Sequence, residues 1–320
     1  MNQKTATWFF EELTTAASGI SGNIADQFKK QTIETAEILR SSEPPNAATL
    51  LAREIIQNSQ DSAIERADDD PDAALEMSFE FSKMERTARV EFAESLDLGK
   101  LTDQIEKAGG WSHVDVTKAG FEALINTDKP LRVLKITERH TTGMYGSWDQ
   151  SESKMWFAML SIGYNEKRAG SGGTAGRGKS TIAAASATRS VFAYTCFGET
   201  KGDEGTTRRF LGVNYLKGHE ADRQRFTGWA RFGAEQPDGT APSPFTNEDA
   251  DRIAESLGME IRDPSNPQDL GTTFLLLEPV IEPLELLSAI ERNWYMAIVD
   301  ENGFDIIFNS EGAKGRNWPK

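Results

Sequence analysis

The sequence predicts an α+β fold, because strand-like and helix-like segments are grouped along the chain rather than strictly alternating. The chain has 320 residues, of which 38% are hydrophobic and 9% aromatic, which is enough for one large domain or two ordinary ones with a packed core. It contains no internal repeat and no low-complexity tract. We therefore expect a compact mixed sheet covered by helices.

The first two elements are predicted to be helices. Residues 1–40 have the apolar pattern of an amphipathic helix, and a Pro-rich breaker at 41–46 ends it. A second helix should follow the breaker and end before Asp68.

Most of the remaining chain divides into strands and helices by apolar pattern. The predicted strands are 74–83, 88–92, 131–136, 190–196, 210–216, 271–277 and 304–308. Helices are expected at 247–257 and 283–295 and, with a break at Gly109–Gly110, over much of 95–126. Residues 235–247 have the composition of a surface loop.

Composition restricts the function classes. A net charge of −15 excludes nucleic-acid binding through the overall field, so any DNA contact must be local or come through a partner. The single cysteine, Cys196, cannot form an internal disulfide, which favours a reducing cytoplasm. The sequence shows no secretory signal pattern and no apolar stretch of roughly 20 residues, so we expect a cytoplasmic protein without membrane contact.

The helix after the breaker carries Glu54, Asn58 and Asp61 at i, i+4 and i+7, which share one helix face. Apolar residues, including Leu51 and Ile55, cover the other side. An asparagine inside a helix, one turn after a glutamate, suggests a divalent metal ligand beside a general base, since Mg²⁺ prefers oxygen ligands and uses few protein groups. The alternative is an ordinary solvated helix face.

A glycine-rich segment allows a different interpretation. Gly173–Ser180 satisfies the Walker A spacing G-x-x-x-x-G-K-[ST], and residues 296–301 could supply a Walker B strand. A Walker A motif needs a buried strand immediately before the loop. Here the apolar run stops at Ile162, and the polar residues 165–168 follow it. A P-loop NTPase therefore remains an alternative.

The order of four motifs resembles that of the GHKL ATPases, the Bergerat-fold group. The E-x-x-x-N-x-x-D helix comes first, followed by a strand ending at Glu138 and a glycine turn at Gly143. The glycine-rich loop with Lys179 and a strand opened by Thr272 complete the order, over roughly residues 45–280. The resemblance implies a two-layer sandwich of a mixed sheet and helices with a flexible ATP lid, and ATP and Mg²⁺ as cofactors.

The resemblance also assigns roles by position. Glu54 matches the general base that orients the attacking water, Asn58 the Mg²⁺ ligand, and Asp61 a second polar residue near the nucleotide. The lid positions, where backbone N–H groups and an ammonium meet phosphates, are Gly176, Gly178, Lys179 and Ser180.

At the base-binding end, Glu138 falls where the family usually has the aspartate that accepts from the adenine amino group. Gly143 and Met144 match the glycine turn beneath the base, and Thr272 matches the threonine that supports the carboxylate. The usual pattern is D-x-G-x-G. This chain departs from it with Glu for Asp, His140 near the first glycine position, and one extra residue before Gly143. By itself, Glu138 could equally be a plain strand-end carboxylate.

Taken together, the resemblance implies a slow Mg²⁺-dependent ATPase switch, whose lid closure gates homodimerisation or engagement of an effector such as a nuclease or helicase. The lid sequence is closest to MORC-like prokaryotic members associated with restriction and anti-phage systems. It further implies an N-terminal helical or dimerisation segment (1–44), an ATP-binding domain (45–282) and the start of a transducer-like region (283–320), which ends early enough to suggest truncation. A GHKL protein kinase is a further alternative.

Overall fold

The computed structural model describes residues 5–13, 45–67, 74–148, 152–160, 179–203, 205–300, 304–310 and 316–317. Within these ranges the helices are α1 (Ala47–Ala67), α2 (Arg86–Ser95), α3 (Leu98–Lys107), α4 (Lys118–Ile125), α5 (Lys154–Leu160), α6 (Lys179–Ala184), α7 (Asn247–Ser256) and α8 (Pro283–Val299). The strands are β1 (Ala6–Glu12), β2 (Glu76–Met84), β3 (Leu131–Arg139), β4 (Ser190–Cys196), β5 (Arg208–Tyr215), β6 (His219–Ala221), β7 (Gln224–Ala234), β8 (Phe245–Thr246), β9 (Gly271–Leu277), β10 (Asp305–Asn309) and β11 (Arg316–Asn317).

The strands form one mixed sheet in the order β1-β7-β5-β4-β9-β3-β2-β10-β11. Neighbouring strands along this path run antiparallel except β2 and β10, which are parallel. The short strands β6 and β8 pair with β7 and β5. The predicted combination of a large mixed sheet with helices, the α+β class, is therefore confirmed.

Helices cover both faces of this sheet. In β4, Val191 and Ala193 join one buried apolar cluster, whereas Phe192 and Tyr194 join another on the opposite face. The first cluster includes α1, α5, α6 and α8, and we call its side the α1 face. The second includes α2, α3, α4 and α7. The described helices thus make three layers, which corrects the predicted two-layer sandwich. The central strands β4 and β9 are apolar on both sides and must be covered twice.

The predicted N-terminal helix is wrong over Ala6–Glu12, which form the edge strand β1. This strand pairs antiparallel with β7, and Trp8 lies opposite Phe232. The Trp8 ring is 1% exposed, and its indole N–H donates to the Leu96 carbonyl over 2.7 Å. The aromatic run suits a strand as well as a helix, and pairing with a distant strand decides between them. The rest of the predicted helix, from residue 14, lies outside the described residues.

The strand predicted at 88–92 is also wrong, because these residues belong to α2. Alternation of Ala88, Val90 and Phe92 suggested a strand. In the structure, Arg89 and Phe92 are buried while Val90 is 39% exposed, which is the spacing of one helix face.

One sheet runs through all three segments that the resemblance separated. Strand β1 pairs with β7, and β10 pairs with β2. Helix α8 packs beside α1, where the Trp294 indole donates to the Ala52 carbonyl over 3.1 Å and Arg53 donates to the Asn293 side chain over 3.4 Å. Within the described ranges, no helix is long and apolar enough to cross a membrane.

Replacing Trp8 by alanine tests the position of β1. We expect Trp8→Ala to lower the free energy of unfolding by about 3–5 kcal/mol, because a buried ring and its contacts with Phe192 and Phe232 are lost. Urea unfolding measures the change. Trp8→Phe keeps a buried ring and should cost less. A loss below about 1 kcal/mol in Trp8→Ala would contradict the packing of β1 on the core.

Candidate functional site

Helix α1 presents the predicted polar face. Its start is capped by Asn46, whose side-chain oxygen accepts from the Thr49 N–H over 2.9 Å. On the outward side Glu54 is half-buried, while Asn58 and Asp61 are exposed. The apolar side packs on the sheet through Leu51, Ala52, Ile55 and Ile56. The predicted helix is confirmed, and the chemical roles of its three polar residues stay predictions.

The environment of Glu54 favours the protonated form of its carboxyl group. Burial raises the pKa of its carboxyl above the ordinary 4.5, Arg53 opposes this shift, and the negative charge of Asp61 adds to it. A partly desolvated carboxylate whose pKa moves toward neutrality takes a proton more readily than an exposed one.

The second half of α1 is tied to the turn that follows β3. The hydroxyls of Ser62 and Thr142 lie 2.8 Å apart, and the Thr142 N–H donates to Ser62 Oγ over 3.3 Å. One turn further along the helix, Glu65 accepts hydrogen bonds from Tyr145 and Lys154. These contacts hold the turn against the helix face that carries Asn58.

Burial pushes the pKa of the Glu65 carboxyl upward, but the hydrogen bonds from Lys154 and Tyr145 outweigh it and leave the pKa lowered. The sequence analysis missed Ser62 and Glu65. Their spacing of four and seven residues from Asn58 places them on the same helix face and could have indicated them.

Glu138 lies at the end of β3 on the α1 face of the sheet. It is 8% exposed, and its Oε1 accepts from the Thr141 hydroxyl over 3.2 Å. In the described part of the chain its other carboxylate oxygen accepts from no protein group. A ligand with an N–H donor could therefore bind there without displacing a protein contact.

The glycine turn packs closely on β4. Gly143 has φ +63°, and a Cβ at this position would lie 2.2 Å from the Cys196 carbonyl oxygen, so only glycine fits. The next residue, Met144, donates its backbone N–H to Thr195 Oγ1 over 2.8 Å. Thr272 on β9 lies opposite Thr195, with their hydroxyl oxygens 3.0 Å apart.

The ends of β3, β4 and β9 therefore form one buried polar corner, which we call the Glu138 corner: Glu138, Gly143, Met144, Thr195 and Thr272. Thr137 pairs with Thr273, and one further step along that register places Glu138 opposite Thr272. The structure thus brings together four residues that the sequence analysis named separately.

Arg262 supports this corner from the face of the sheet opposite α1. It is 2% exposed, and its guanidinium donates to the Glu138 carbonyl over 2.9 Å, the Thr273 hydroxyl over 3.0 Å and the Asp269 carbonyl over 2.8 Å. Burial, with a smaller effect of Arg139, lowers the Arg262 pKa to about 10, so the group stays charged at neutral pH. No local motif in the sequence indicated this residue.

Of the predicted lid, Gly176 and Gly178 lie outside the described residues. Lys179 and Ser180 are the first two residues of α6. This helix lies against α1 and packs on the α1 face through Ala183 and Ala184. The end of the glycine-rich segment is thereby fixed on the same side of the sheet as Glu54.

Two observations count against the Walker interpretation. The predicted Walker B strand at 296–301 is wrong, because α8 continues through Val299. The apolar run before the glycine-rich segment is helical up to Leu160, where a strand would be needed. Residues 161–178, which contain most of the proposed motif, lie outside the described ranges.

The described side chains include no group of three or more His, Cys, Asp or Glu that could hold a metal ion. A magnesium site at Asn58 fits this arrangement only if phosphate and water supply the other oxygens, as Mg²⁺ commonly requires.

The shifted pKa of Glu54 gives a pH-dependent prediction. Its folded-state pKa lies above the ordinary 4.5, so ionisation costs stability at higher pH. Glu54→Gln should therefore raise the urea midpoint at neutral pH, and the gain should vanish as pH falls below about 4.5. The exposed Glu94→Gln on α2 is the control. A gain that did not depend on pH would contradict the assignment.

In comparisons with known proteins, no family model matches this chain and no curated protein matches it.

Proposed function

We propose that this protein is a Mg²⁺-dependent ATP-binding switch of the GHKL, Bergerat-fold type that hydrolyses ATP slowly. The observation that carries the proposal is the convergence of the polar face of α1 and the Glu138 corner on one side of the sheet. The Ser62–Thr142 contact joins the two at 2.8 Å. A nucleotide lying across this junction has its base at one end and its phosphates at the other.

At the base end, Glu138 accepts a hydrogen bond from the exocyclic amino group of adenine. The geometry supports this role, because one carboxylate oxygen is held by Thr141 and the residue lies at the edge of the α1 face. Met144 forms part of the apolar surface beneath the base, and its turn is fixed by the close approach of Gly143 to β4.

At the phosphate end, the Asn58 carboxamide oxygen would hold Mg²⁺, and Asp61 is a second polar residue near the nucleotide. The metal would supply charge neutralisation for the triphosphate. Glu54 accepts the proton of the attacking water, for which its raised pKa is suited. Gly176, Gly178, Lys179 and Ser180 close over the γ-phosphate, a role that rests on the family resemblance and on the packing of α6 against α1.

ATP binding then favours a closed state that dimerises or engages an effector such as a nuclease or helicase, in the cytoplasm and within a DNA-restriction or anti-phage system. The net charge of −15 favours contact with DNA only through that effector.

The alternative of a GHKL protein kinase that phosphorylates one of its own histidines has less support. His113, His140 and His219 lie in a 3₁₀ turn, the turn after β3 and strand β6, and none is in an α-helix.

Glu54→Gln tests catalysis separately from binding. We expect it to bind a non-hydrolysable ATP analogue like the parent and to release phosphate about 10²- to 10⁴-fold more slowly, which is the usual contribution of a general base. Calorimetry and a phosphate-release assay measure the two quantities. Glu94→Gln should behave like the parent in both. Parent-like turnover in Glu54→Gln would remove the catalytic role.

Asn58→Ala tests the metal. In the parent, removing Mg²⁺ with EDTA should weaken binding of the ATP analogue by about tenfold or more, as expected for loss of one charge-assisted contact. The variant should bind weakly with or without the metal. Gln60→Ala removes a carboxamide from another side of α1 and should keep the metal dependence. An unchanged Mg²⁺ effect in Asn58→Ala would exclude Asn58 as the ligand.

A further inference from the structure

We infer that Thr195 is a positioning residue that gives the Glu138 corner its selectivity for a base carrying an exocyclic amino group. This inference rests on the proposed function and deepens it. Thr195 lies on β4 and belongs to none of the sequence motifs. Among the described residues, its side-chain hydrogen bonds join Met144, Gly271 and Thr272, and none reaches α1.

Three contacts converge on the Thr195 hydroxyl, which is 0% exposed. It accepts from the Met144 N–H over 2.8 Å, lies 3.2 Å from the Gly271 carbonyl oxygen, to which it can donate, and lies 3.0 Å from the Thr272 hydroxyl. One side chain therefore holds the glycine turn and the first two residues of β9 together.

The hydroxyl has one proton, which limits the hydrogen-bond pattern. When Thr195 donates to the Gly271 carbonyl, the Thr272 hydroxyl donates to Thr195. When Thr195 donates to Thr272 instead, the Thr272 proton is free to point toward the Glu138 side of the corner. Thr195 thus constrains the orientation of the Thr272 hydroxyl, which the strand register places opposite Glu138.

Close packing makes this contact hard to replace. A Cβ at Gly143 would lie 3.1 Å from Thr195 Oγ1, and one at Gly271 would lie 2.3 Å from the Glu138 carbonyl oxygen. The backbones are already in contact, so a lost hydroxyl cannot be compensated by closer approach. Thr195→Val keeps the shape but leaves the buried Met144 N–H without its partner.

The experiment compares two probes, ATP and purine riboside triphosphate, which lacks the 6-amino group. In Thr195→Val, the dissociation constant for ATP should rise about tenfold, whereas that for the analogue should change less than about threefold, since one hydrogen bond to a charged group is worth roughly a factor of ten. The ATP concentration for half-maximal turnover should rise while maximal turnover is kept, because Glu54 and Asn58 are untouched.

Thr195→Ser should restore the parental preference for ATP. Ser190→Ala removes another buried hydroxyl at the far end of β4 and should leave the preference intact. If Thr195→Val does not fold, Thr195→Ala removes the same hydroxyl without a second methyl group to place.

Equal weakening of both probes in Thr195→Val would show a general structural defect and overturn the inference, as would no weakening of ATP. Failure of the proposed function looks different, because then the parent protein itself binds neither probe. In that case the inference falls with it.

Discussion

The proposed site depends on the contact between Ser62 and Thr142. Helix α1 and the turn after β3 are 80 residues apart in sequence at this point, and each carries half of the proposed chemistry. The helix supplies an acid and an amide, and the turn leads into the Glu138 corner. Because the hydroxyl pair is backed by the bonds from Tyr145 and Lys154 to Glu65, the two halves are held at several points along the helix. Small displacements of either element would separate the two halves of the proposed site.

Charge gives the site its second constraint. The described part of the proposed site carries the carboxyl groups of Glu54, Asp61 and Glu138, which would repel a bare triphosphate. Arg262 is positive but is bonded to backbone and hydroxyl oxygens behind the corner. On the proposed function, a divalent cation would offset this repulsion at the phosphate end, and Lys179 would add a positive charge.

The sequence predicted elements whose pattern is local. Helix α1, strand β3 and strand β9 were found because amphipathic or apolar periodicity persists over enough residues to identify them. Strand β1 was mistaken for helix, and β7 was not predicted. Each is stabilised by pairing with the other across more than 200 residues, and a single sequence carries no record of that register. The apolar run at 271–277 indicated a buried strand, but which helices cover the second face of β4 and β9 became clear only in the structure.

The candidate site divides in the same way. Glu54 and Asn58 could be named from their helical spacing, and Glu138 and Thr272 from the resemblance to the GHKL motif order, although all four roles stay predictions. Thr195 and Arg262 could not, because each matters through contacts with residues distant in sequence. A threonine in a strand and an arginine in a loop have no local signature of support for a neighbouring carboxylate.

The position of Cys196 has a practical consequence. Its backbone carbonyl packs closely against Gly143. Burial raises the pKa of its thiol to about 12, so the side chain is neutral and shielded in the folded protein. It is also the only thiol in the chain. An alkylating reagent can modify the thiol only when this part of the sheet opens. The rate at which Cys196 is labelled therefore measures local opening of the sheet next to Met144. Cys196 is therefore a natural probe of local opening at the place where a base would bind in the proposed site.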